Sequence, residues 1–504
     1  MPRMPGDPRE TGPVLARDAV DEIAGRRVAS HPMGELLGQS APETAANGGG
    51  TDPSERGRSP SPVVEALAAE GVDAVLVTFV DNAGVVRARA VPLVHFAGAA
   101  SSGLGLSTAW HVVSATDRVT SSPYVGNPAG DLRLVADAQA LRPLPGLAKW
   151  AWSPADQYDA DGSPHACCPR SYLRRAIERC RKLGLELIVG YELEFWLARE
   201  DASGTPSSAH RGPAVGALAI VEVADYAHDL IAELSREDIG LETLNAEYSD
   251  GQLEVSLSAK DPLRAVDANV LARLAIHAIA RRHGLRASFA PAFAGPMGNG
   301  GHIHMSVWRD GQNRCAGGQG PAGMEDDADA FLAGMLAELP AVTAIGAPTM
   351  ASYLRLQPSR WAGAYACWGI ENREAGLRFV PARPGGEDAA NVEVKSFDEA
   401  ANPYLLLGAL LHAGAAGVES GAHLPPPFPG DPATSDEAAL AAAGVSRLPA
   451  TLEQAIAAMA ESALLAETMG PALFDSYLAV RRAEVSAFGG ASDEEIIDAY
   501  RWRF

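Results

Sequence analysis

The run Gly298-Asn299-Gly300-Gly301-His302-Ile303-His304-Met305-Ser306 places two histidines two positions apart, behind a glycine-rich approach. On a β-strand, residues i and i+2 face the same side, so both imidazoles can enter one pocket. A neutral imidazole can hold a metal ion, and its neighbour can contact an anion. The run also fits two hydrogen-bonded core histidines, but the glycine-rich approach favours a ligand site.

A second run of the same geometry is Tyr191-Glu192-Leu193-Glu194-Phe195, within an otherwise apolar segment. Period-two alternation directs Glu192 and Glu194 to one face of the predicted strand. Two like charges on one face are costly unless a cation or solvent compensates them. The segment therefore indicates either a cation site or a solvated strand face.

Three further carboxylates, those of Glu247, Glu254 and Glu393, are candidates for the same site. Glu247 and Glu254 are seven residues apart, a spacing that puts them on opposite faces of a straight strand. The turn Ser249-Asp250-Gly251 can redirect one of them, although an ordinary polar loop would be favoured without the other runs. Glu393 lies two residues before Lys395 on a predicted strand, which also fits a surface ion pair.

Together these runs offer five carboxylates and a histidine to hard divalent cations. Oxygen ligands with one imidazole suit Mg²⁺ or Mn²⁺ better than zinc. Phosphoryl transfer from ATP requires carboxylates, metal ions and arginines in one pocket. Several arginines follow in the chain, namely Arg355, Arg360, Arg373 and Arg378. The chain has no P-loop motif and no dinucleotide-binding glycine motif, so a nucleotide would be held in another way.

The overall composition and charge of the chain disfavour several classes of function. The 504 residues carry a net charge of −22, which disfavours non-specific nucleic-acid binding, and 47 % are hydrophobic, which predicts a globular chain. Five scattered cysteines without a CxxC pair indicate a reduced, intracellular protein. We find no apolar run of membrane-span length and no secretory signal, so we expect a cytoplasmic location and no membrane partner.

Composition and periodicity divide the chain into three parts. Residues 1–61 are rich in Pro, Gly, Ser, Arg and Glu, which predicts a disordered N-terminal extension. Residues 62–165 form a small β-rich domain with a hairpin at Asp81-Asn82-Ala83-Gly84. Residues 166–504 combine antiparallel strands with blocks of helices, which predicts an α+β architecture.

These motifs, in their order along the chain, resemble the glutamine synthetase superfamily. The resemblance runs from about residue 63 to residue 504 and also includes Asn372-Arg373 and Ala401-Asn402-Pro403-Tyr404. It implies a β-grasp N-terminal domain over 62–165 and a catalytic domain over 166–504, built on a curved antiparallel sheet with helices. It also implies a ring-shaped homo-oligomer, with a dodecamer expected, in which Asp81 reaches a neighbour's active site.

The same resemblance implies a role for each candidate residue, with two or three Mg²⁺ or Mn²⁺ ions per site and ATP as co-substrate. The implied ligands of the ion nearer the substrate are Glu194, Glu247 and Glu254, and those of the ion nearer the phosphates are Glu192, His302 and Glu393. The implied nucleotide contacts are Glu242, His304, Ser306 and Arg378, and the implied substrate contacts are Gly298, Arg355, Trp361 and Lys395. The implied catalytic residues are Asp81, Glu247 and Arg373.

Three positions depart from the family pattern, and one of them is Met297, which replaces a substrate-contacting asparagine. Trp361 stands where glutamine synthetases have a flap glutamate that closes the ammonium pocket, and an indole cannot act as a base. Lys395 replaces a substrate-binding arginine and lacks its bidentate fork. A complete metal set beside a lost flap glutamate predicts an ATP-dependent ligase that joins a glutamate-like γ-carboxylate, through an acyl phosphate, to an amine larger than ammonia. A true glutamine synthetase and a non-catalytic homologue remain as alternatives.

Overall fold

The computed structural model describes residues 61–504, with gaps at 127–128, 237–238 and 295–297. The predicted disordered extension over 1–61 lies outside the described residues, apart from Ser61. Helices and strands are interspersed from there to the C-terminus, and the predicted α+β class is confirmed.

The N-terminal part contains one mixed sheet and two helices. The elements are α1 (Pro62–Ala69), β1 (Ala74–Val80), β2 (Val86–Pro92), α2 (Phe96–Ser101), β3 (Leu104–Ser107), β4 (Asp131–Ala136), β5 (Arg142–Pro143) and β6 (Trp150–Tyr158). The strand order is β2-β1-β6-β4-β3, with β5 paired to β6 and β1 parallel to β6. Alternate side chains such as Val75, Val77 and Leu134 are fully buried in a small apolar core. The predicted hairpin is the antiparallel β1–β2 pair.

A second sheet of eleven strands forms the centre of the C-terminal part. The strands are β7 (Glu186–Glu200), β8 (Pro206–Ser208), β9 (Leu241–Ala246), β10 (Gln252–Lys260), β11 (Arg286–Ser288), β12 (Gly301–Arg309), β13 (Gln312–Asn313), β14 (Tyr365–Ile370), β15 (Ala375–Val380), β16 (Asn391–Val394) and β17 (Ser446–Arg447). The main order is β17-β14-β15-β16-β12-β7-β10-β9. The prediction of an antiparallel sheet is wrong for one pair, because β14 runs parallel to β15. Strand β14 was not predicted, because its sequence Tyr-Ala-Cys-Trp-Gly-Ile has no charged residue and shows no alternation of apolar and polar side chains.

The helices of this part pack beside the large sheet. They are α3 (Pro169–Lys182), α4 (Ala217–Glu222), α5 (Ala224–Arg236), α6 (Pro262–Arg282), α7 (Asp326–Gly346), α8 (Ser352–Arg355), α9 (Pro403–Ser420), α10 (Glu437–Ala442), α11 (Leu452–Glu461), α12 (Ala463–Phe488) and α13 (Asp493–Tyr500). A Cβ on Gly334 of α7 would lie 2.2 Å from the carbonyl oxygen of Ala413 in α9. Only glycine therefore permits the two backbones to approach so closely.

Helix α7 corrects one expectation from the sequence. Its 21 residues are apolar enough to cross a membrane by length and composition, and it is the one such helix among the described residues. However, 78 % of its most apolar window is buried inside the protein. Packing against α9 and α11 accounts for its apolar character.

Two main apolar cores and a small cluster of Trp196, Ala198 and Phe293 lie within one compact unit that contains all the described residues. The smaller core fills the N-terminal sheet. The larger core includes Val80, Ala83 and Trp152 from the N-terminal part as well as most buried residues of the large sheet. Because this core draws on both parts, the division into 62–165 and 166–504 stays a prediction.

Asn402 holds the β1–β2 hairpin against the C-terminal part. Its Nδ2 donates to the carbonyl oxygens of Val80, at 3.1 Å, and Asp81, at 3.0 Å. Its Oδ1 accepts from two backbone N–H groups in the first turn of α9. A Cβ on Gly84, at the tip of the hairpin, would lie 1.8 Å from the carbonyl oxygen of Ala400, so the turn fits only as glycine.

We expect Asn402→Ala to lower the free energy of unfolding by roughly 2–4 kcal/mol, because it removes a helix cap and takes one donor from each of two carbonyl oxygens of the hairpin. Chemical denaturation followed by tryptophan fluorescence measures the change. Thr451→Ala is the matched control, since Thr451 caps the exposed start of α11 and contacts no hairpin. A loss equal to that of the control would contradict a role for Asn402 in docking the hairpin.

Candidate active site

Strand register brings the two motifs of paired side chains together. Strand β7 lies between β10 and β12. Glu192 of β7 is directly opposite His302 of β12, and Glu194 is directly opposite Glu254 of β10. Carboxylates and an imidazole from three strands therefore share one region of the sheet.

The two imidazoles face the same side, as predicted. Nδ1 of His302 lies 3.2 Å from Glu192 Oε2 and 3.4 Å from Glu393 Oε1. Nε2 of His304 lies 3.3 Å from Glu192 Oε1. Nε2 of His302 is buried and has no hydrogen-bond partner among the described residues. An imidazole nitrogen in this state is available to a ligand.

Glu247 and Glu254 meet through a hairpin. Glu247 follows β9, and its N–H donates to the carbonyl oxygen of Gln252 at the start of β10, at 2.9 Å. The odd spacing is therefore not an obstacle, because the chain reverses between the two residues. The side-chain Nδ2 of Asn245 donates to Glu254 Oε1 at 3.2 Å.

The carboxylates divide into two electrostatic groups. Burial, together with the neighbouring charges of Glu192 and Glu194, raises the pKa of Glu247 to about 7 and that of Glu254 to about 9. Burial also acts on Glu393, but the charges of Lys395 and the two histidines outweigh it and lower the pKa of Glu393 to about 2. Glu247 and Glu254 therefore lie in a region of excess negative charge, and a bound cation would reduce the repulsion there.

Metal-binding geometry is present at two groups of side chains whose ligand atoms lie within 4.8 Å of one another, namely Glu192, His304 and Glu393, and Glu192, Glu254 and His302. Each group supplies two carboxylates and one imidazole, a donor set that fits Mg²⁺ or Mn²⁺. The predicted sets differ, because they place His302 with Glu393 and leave His304 to the nucleotide. The assignment of individual ligands to individual ions stays a prediction.

A cavity of about 880 Å³ opens beside the carboxylates. The predicted residues that line it are Glu192, Glu194, Glu247, Glu254, Gly298, His302, Arg355, Trp361, Arg373, Arg378 and Lys395. Residues in the lining that were not predicted include Val215, Asn245, Tyr248 and Gln252. The structure thus gathers most of the predicted site around one space large enough for small-molecule substrates.

Five predicted residues do not line this cavity, namely Asp81, Glu242, His304, Ser306 and Glu393. Glu393 and His304 contact lining residues directly. The side chain of Glu242 accepts a hydrogen bond from Ser258, and Ser306 Oγ accepts from the indole N–H of Trp308. Asp81 is fully buried in its own hairpin, with its carboxylate 2.7 Å from Arg87. Within this single chain, Asp81 takes no part in the site.

Five arginine and lysine residues line the cavity, and Arg355, Arg378 and Lys395 among them have contacts that bear on ligand binding. Nη2 of buried Arg355 donates to the carbonyl oxygen of Lys395 at 3.2 Å, and Nη1 has no partner among the described residues. A buried guanidinium nitrogen without a partner suits a carboxylate ligand. Arg378 and Lys395 both contact Glu393, at 2.9 and 2.8 Å. The ion pair between Glu393 and Lys395 is therefore buried, not on the surface.

Gln252 organises the site and was not predicted to do so. Its Nε2 donates to Glu194 Oε2 at 2.9 Å and to the carbonyl oxygen of Gly298 at 3.1 Å. The period-two relation of Gln252 to Glu254 on β10 is a signal that could have identified it. A Cβ on Gly300 would lie 2.7 Å from both His302 Nε2 and Arg355 Nη2, which explains the glycine-rich approach.

Residues 358–363, here called the flap segment, carry Trp361 at the cavity. The indole is 61 % exposed, and the guanidinium of Arg373 lies 5.9 Å from the ring centroid. Ser359 and Trp361 both have left-handed backbone, with φ of 56° and 54°. Such conformations are strained in residues other than glycine and persist where surrounding contacts hold them. The N–H of Trp361 donates to Glu374 Oε1 at 2.7 Å.

Comparison with known proteins agrees with this geometry. Residues 166–500 match the family described as glutamine synthetase, catalytic domain. The γ-glutamylpolyamine synthetase GlnA3 of Streptomyces coelicolor is 44 % identical over 442 residues, which cover 87 % of this chain and 95 % of that protein. The glutamine synthetase of Clostridium saccharobutylicum is 31 % identical over 368 residues, covering 70 % and 82 %. A crystal structure titled as a novel glutamine synthase homolog superposes with a TM-score of 0.77 at 31 % identity, covering 86 % and 99 %. The chain therefore belongs to the glutamine synthetase family.

Proposed function

We propose that this protein is an ATP-dependent ligase that joins a glutamate-like γ-carboxylate to an amine of the polyamine class. One observation carries the proposal: Trp361 lines the cavity of a chain that retains the full carboxylate and histidine set. No carboxylate at that position is left to attract an ammonium ion. The 44 % identity to a protein named γ-glutamylpolyamine synthetase supports a larger amine.

The family uses ATP and divalent metal ions. We propose that two or three Mg²⁺ or Mn²⁺ ions bind to Glu192, Glu194, Glu247, Glu254, His302 and Glu393. Such ions neutralise phosphate charge and orient the γ-phosphoryl group when they are bound. Glu242, His304 and Ser306 are retained as proposed nucleotide contacts.

The residues of the chain then act on the acid and the phosphoryl group. Nη1 of Arg355 is the proposed contact for the free carboxylate of the acid, beside Gly298 and Lys395. The γ-carboxylate oxygen attacks the γ-phosphorus, the bond to ADP breaks, and an acyl phosphate forms. Arg373 and Arg378 offset the charge on the transferred group. The amine nitrogen attacks the acyl carbon, phosphate leaves with the bonding pair, and the amine loses a proton.

The proposal includes a ring-shaped homo-oligomer, with a dodecamer expected, in which Asp81 contributes to a neighbouring site. It places the enzyme in the cytoplasm with no nucleic-acid or membrane partner. The net charge of −22 supports the absence of nucleic-acid binding. The alternative, a true glutamine synthetase, is supported by relatives of that name at 31 % identity. A non-catalytic homologue is less well supported, since no proposed metal ligand is missing.

Amine selectivity tests the proposed function directly. With glutamate, Mg²⁺ and ATP, we expect kcat/KM for polyamines to exceed that for ammonia at least tenfold, read as phosphate release and product mass. Hydroxylamine should trap the acyl phosphate with any acceptor. Better use of ammonia than of any amine tested would favour the true glutamine synthetase, and no ADP release with any pair would favour the non-catalytic homologue.

Metal binding should depend on pH. The folded-state pKa values of about 7 for Glu247 and about 9 for Glu254 lie above the ordinary 4.5. The metal-free fold therefore loses stability as pH rises from about 4.5 through 7 on account of Glu247, and through 9 on account of Glu254. Mn²⁺ removes this repulsion and competes with protons below pH 7. We expect the Mn²⁺-induced rise in Tm to be larger at pH 8 than at pH 6.

Glu194→Gln should reduce the Mn²⁺-induced rise in Tm. It should also lower kcat roughly 10³-fold, which is equivalent to several kcal/mol of charge stabilisation. Glu186→Gln, at the exposed start of the same strand, is the matched control. An equal rise in Tm at both pH values, or full activity of Glu194→Gln, would contradict the metal assignment.

Trp361 offers a second test of the acceptor site. Trp361→Glu restores a carboxylate at the flap segment, so kcat/KM for ammonia should rise about tenfold, which corresponds to about 1.4 kcal/mol. Trp361→Gln removes the indole without adding charge and separates the two effects. If neither variant changes the use of any amine, the indole does not contact the nucleophile.

A further inference from the structure

A buried carboxylate lies directly behind the flap segment. Glu374 is 6 % exposed, and its Oε1 accepts the backbone N–H of Trp361 at 2.7 Å. Its Oε2 is buried and has no hydrogen-bond partner among the described residues. A buried carboxylate oxygen in this state is costly, and such atoms point to a ligand that completes the site.

A second carboxylate lies close by. Asp431 Oδ2 accepts the hydroxyl of Ser359 at 2.8 Å, and its negative charge contributes, after burial, to raising the pKa of Glu374. Lys395 also acts on Glu374, but its Nζ is bonded to Glu393 at 2.8 Å. Two acidic side chains therefore hold the flap segment at Ser359 and Trp361, the two residues with strained backbone.

The flap segment separates these carboxylates from the cavity. Ser359 and Trp361 line the cavity on one side and bond to the acidic pair on the other. Trp361 is exposed and lines the cavity, so its indole is accessible to a ligand in the cavity. An alkyl chain that passes the indole would reach the unpartnered oxygen with a positively charged end, and the aromatic face attracts cations as well.

We propose that Glu374 and Asp431 bind the distal ammonium of the acceptor and make the enzyme selective for diamines and longer polyamines over monoamines. This inference rests on the proposed function and assigns its specificity to two residues outside the metal site. The nucleophilic amine lies at the cavity side of Trp361, and the second ammonium lies behind the flap segment. A monoamine of equal length leaves the acidic pair without a cation.

The test compares 1,4-diaminobutane with butylamine in the full-length enzyme with glutamate, Mg²⁺ and ATP. Glu374→Gln removes the charge but keeps an oxygen that can accept from Trp361. Asp431→Asn likewise keeps the cap of the following turn, since asparagine is as good a cap as aspartate. We expect each variant to lower the ratio of kcat/KM for the diamine to that for the monoamine at least tenfold, mainly through KM of the diamine. Asp431→Glu, which keeps the charge, should retain most of the selectivity.

Glu437→Gln, on an exposed carboxylate in the first turn of α10, is the matched control and should leave the ratio unchanged. Thermal melts verify that each variant is folded. Because Asp431 is half-exposed and Glu374 is buried, Asp431→Asn should disturb the fold less than Glu374→Gln. A ratio within threefold of wild type in both charge-neutral variants would overturn this inference while leaving the proposed function intact. Failure of the wild-type enzyme to use any amine except ammonia would instead overturn the proposed function.

Discussion

Mutual repulsion among glutamates on one face of a sheet is the constraint on which the rest of the site depends. Glu192 and Glu194 of β7 and Glu254 of β10 are brought together by the register of two neighbouring strands, and Glu247 joins them from a hairpin turn. Burial and the like charges of Glu192 and Glu194 raise the pKa of Glu247 and Glu254 and so make these two unfavourable as ionised carboxylates. The arrangement is stable in its charged form only with cations, so the fold and its metal chemistry are coupled.

The surrounding contacts serve to hold these charges in place. Gln252 bonds to Glu194, while Arg378 and Lys395 neutralise Glu393. The strand hydrogen bonds between β7, β10 and β12 fix the side chains to rigid elements, which positions a site more accurately than a loop can. The glycine-rich approach reflects lack of space, because a Cβ on Gly300 would collide with the side chains of His302 and Arg355.

The flap segment, where the amine is proposed to bind, differs from the metal site in where its charges lie. At the flap segment an aromatic ring faces the cavity, and carboxylates lie behind the backbone instead of at the ring's own position. Charge is therefore set back from the indole, behind the backbone of the flap segment. If these carboxylates bind the second ammonium, the distance between the two amines of a substrate decides how tightly it binds. A monoamine would leave a buried carboxylate unpaired and would therefore bind less well.

The sequence alone predicts the α+β class, the hairpin at Asp81 and the shared face of His302 and His304, and the family resemblance implies most of the site residues that line the cavity. These follow from local periodicity and from motifs whose order is a property of the chain. Strand β14, the role of Gln252, the buried state of Asp81 and the acidic pair behind Trp361 were decided by the tertiary structure alone. Strand β14 shows no alternation because its side chains are apolar on both faces, including the exposed Ile370. The pairing of Glu374 with Trp361 and of Asp431 with Ser359 joins residues 13 and 72 positions apart. Contacts of that kind depend on how strands and loops pack in three dimensions, which no local pattern encodes.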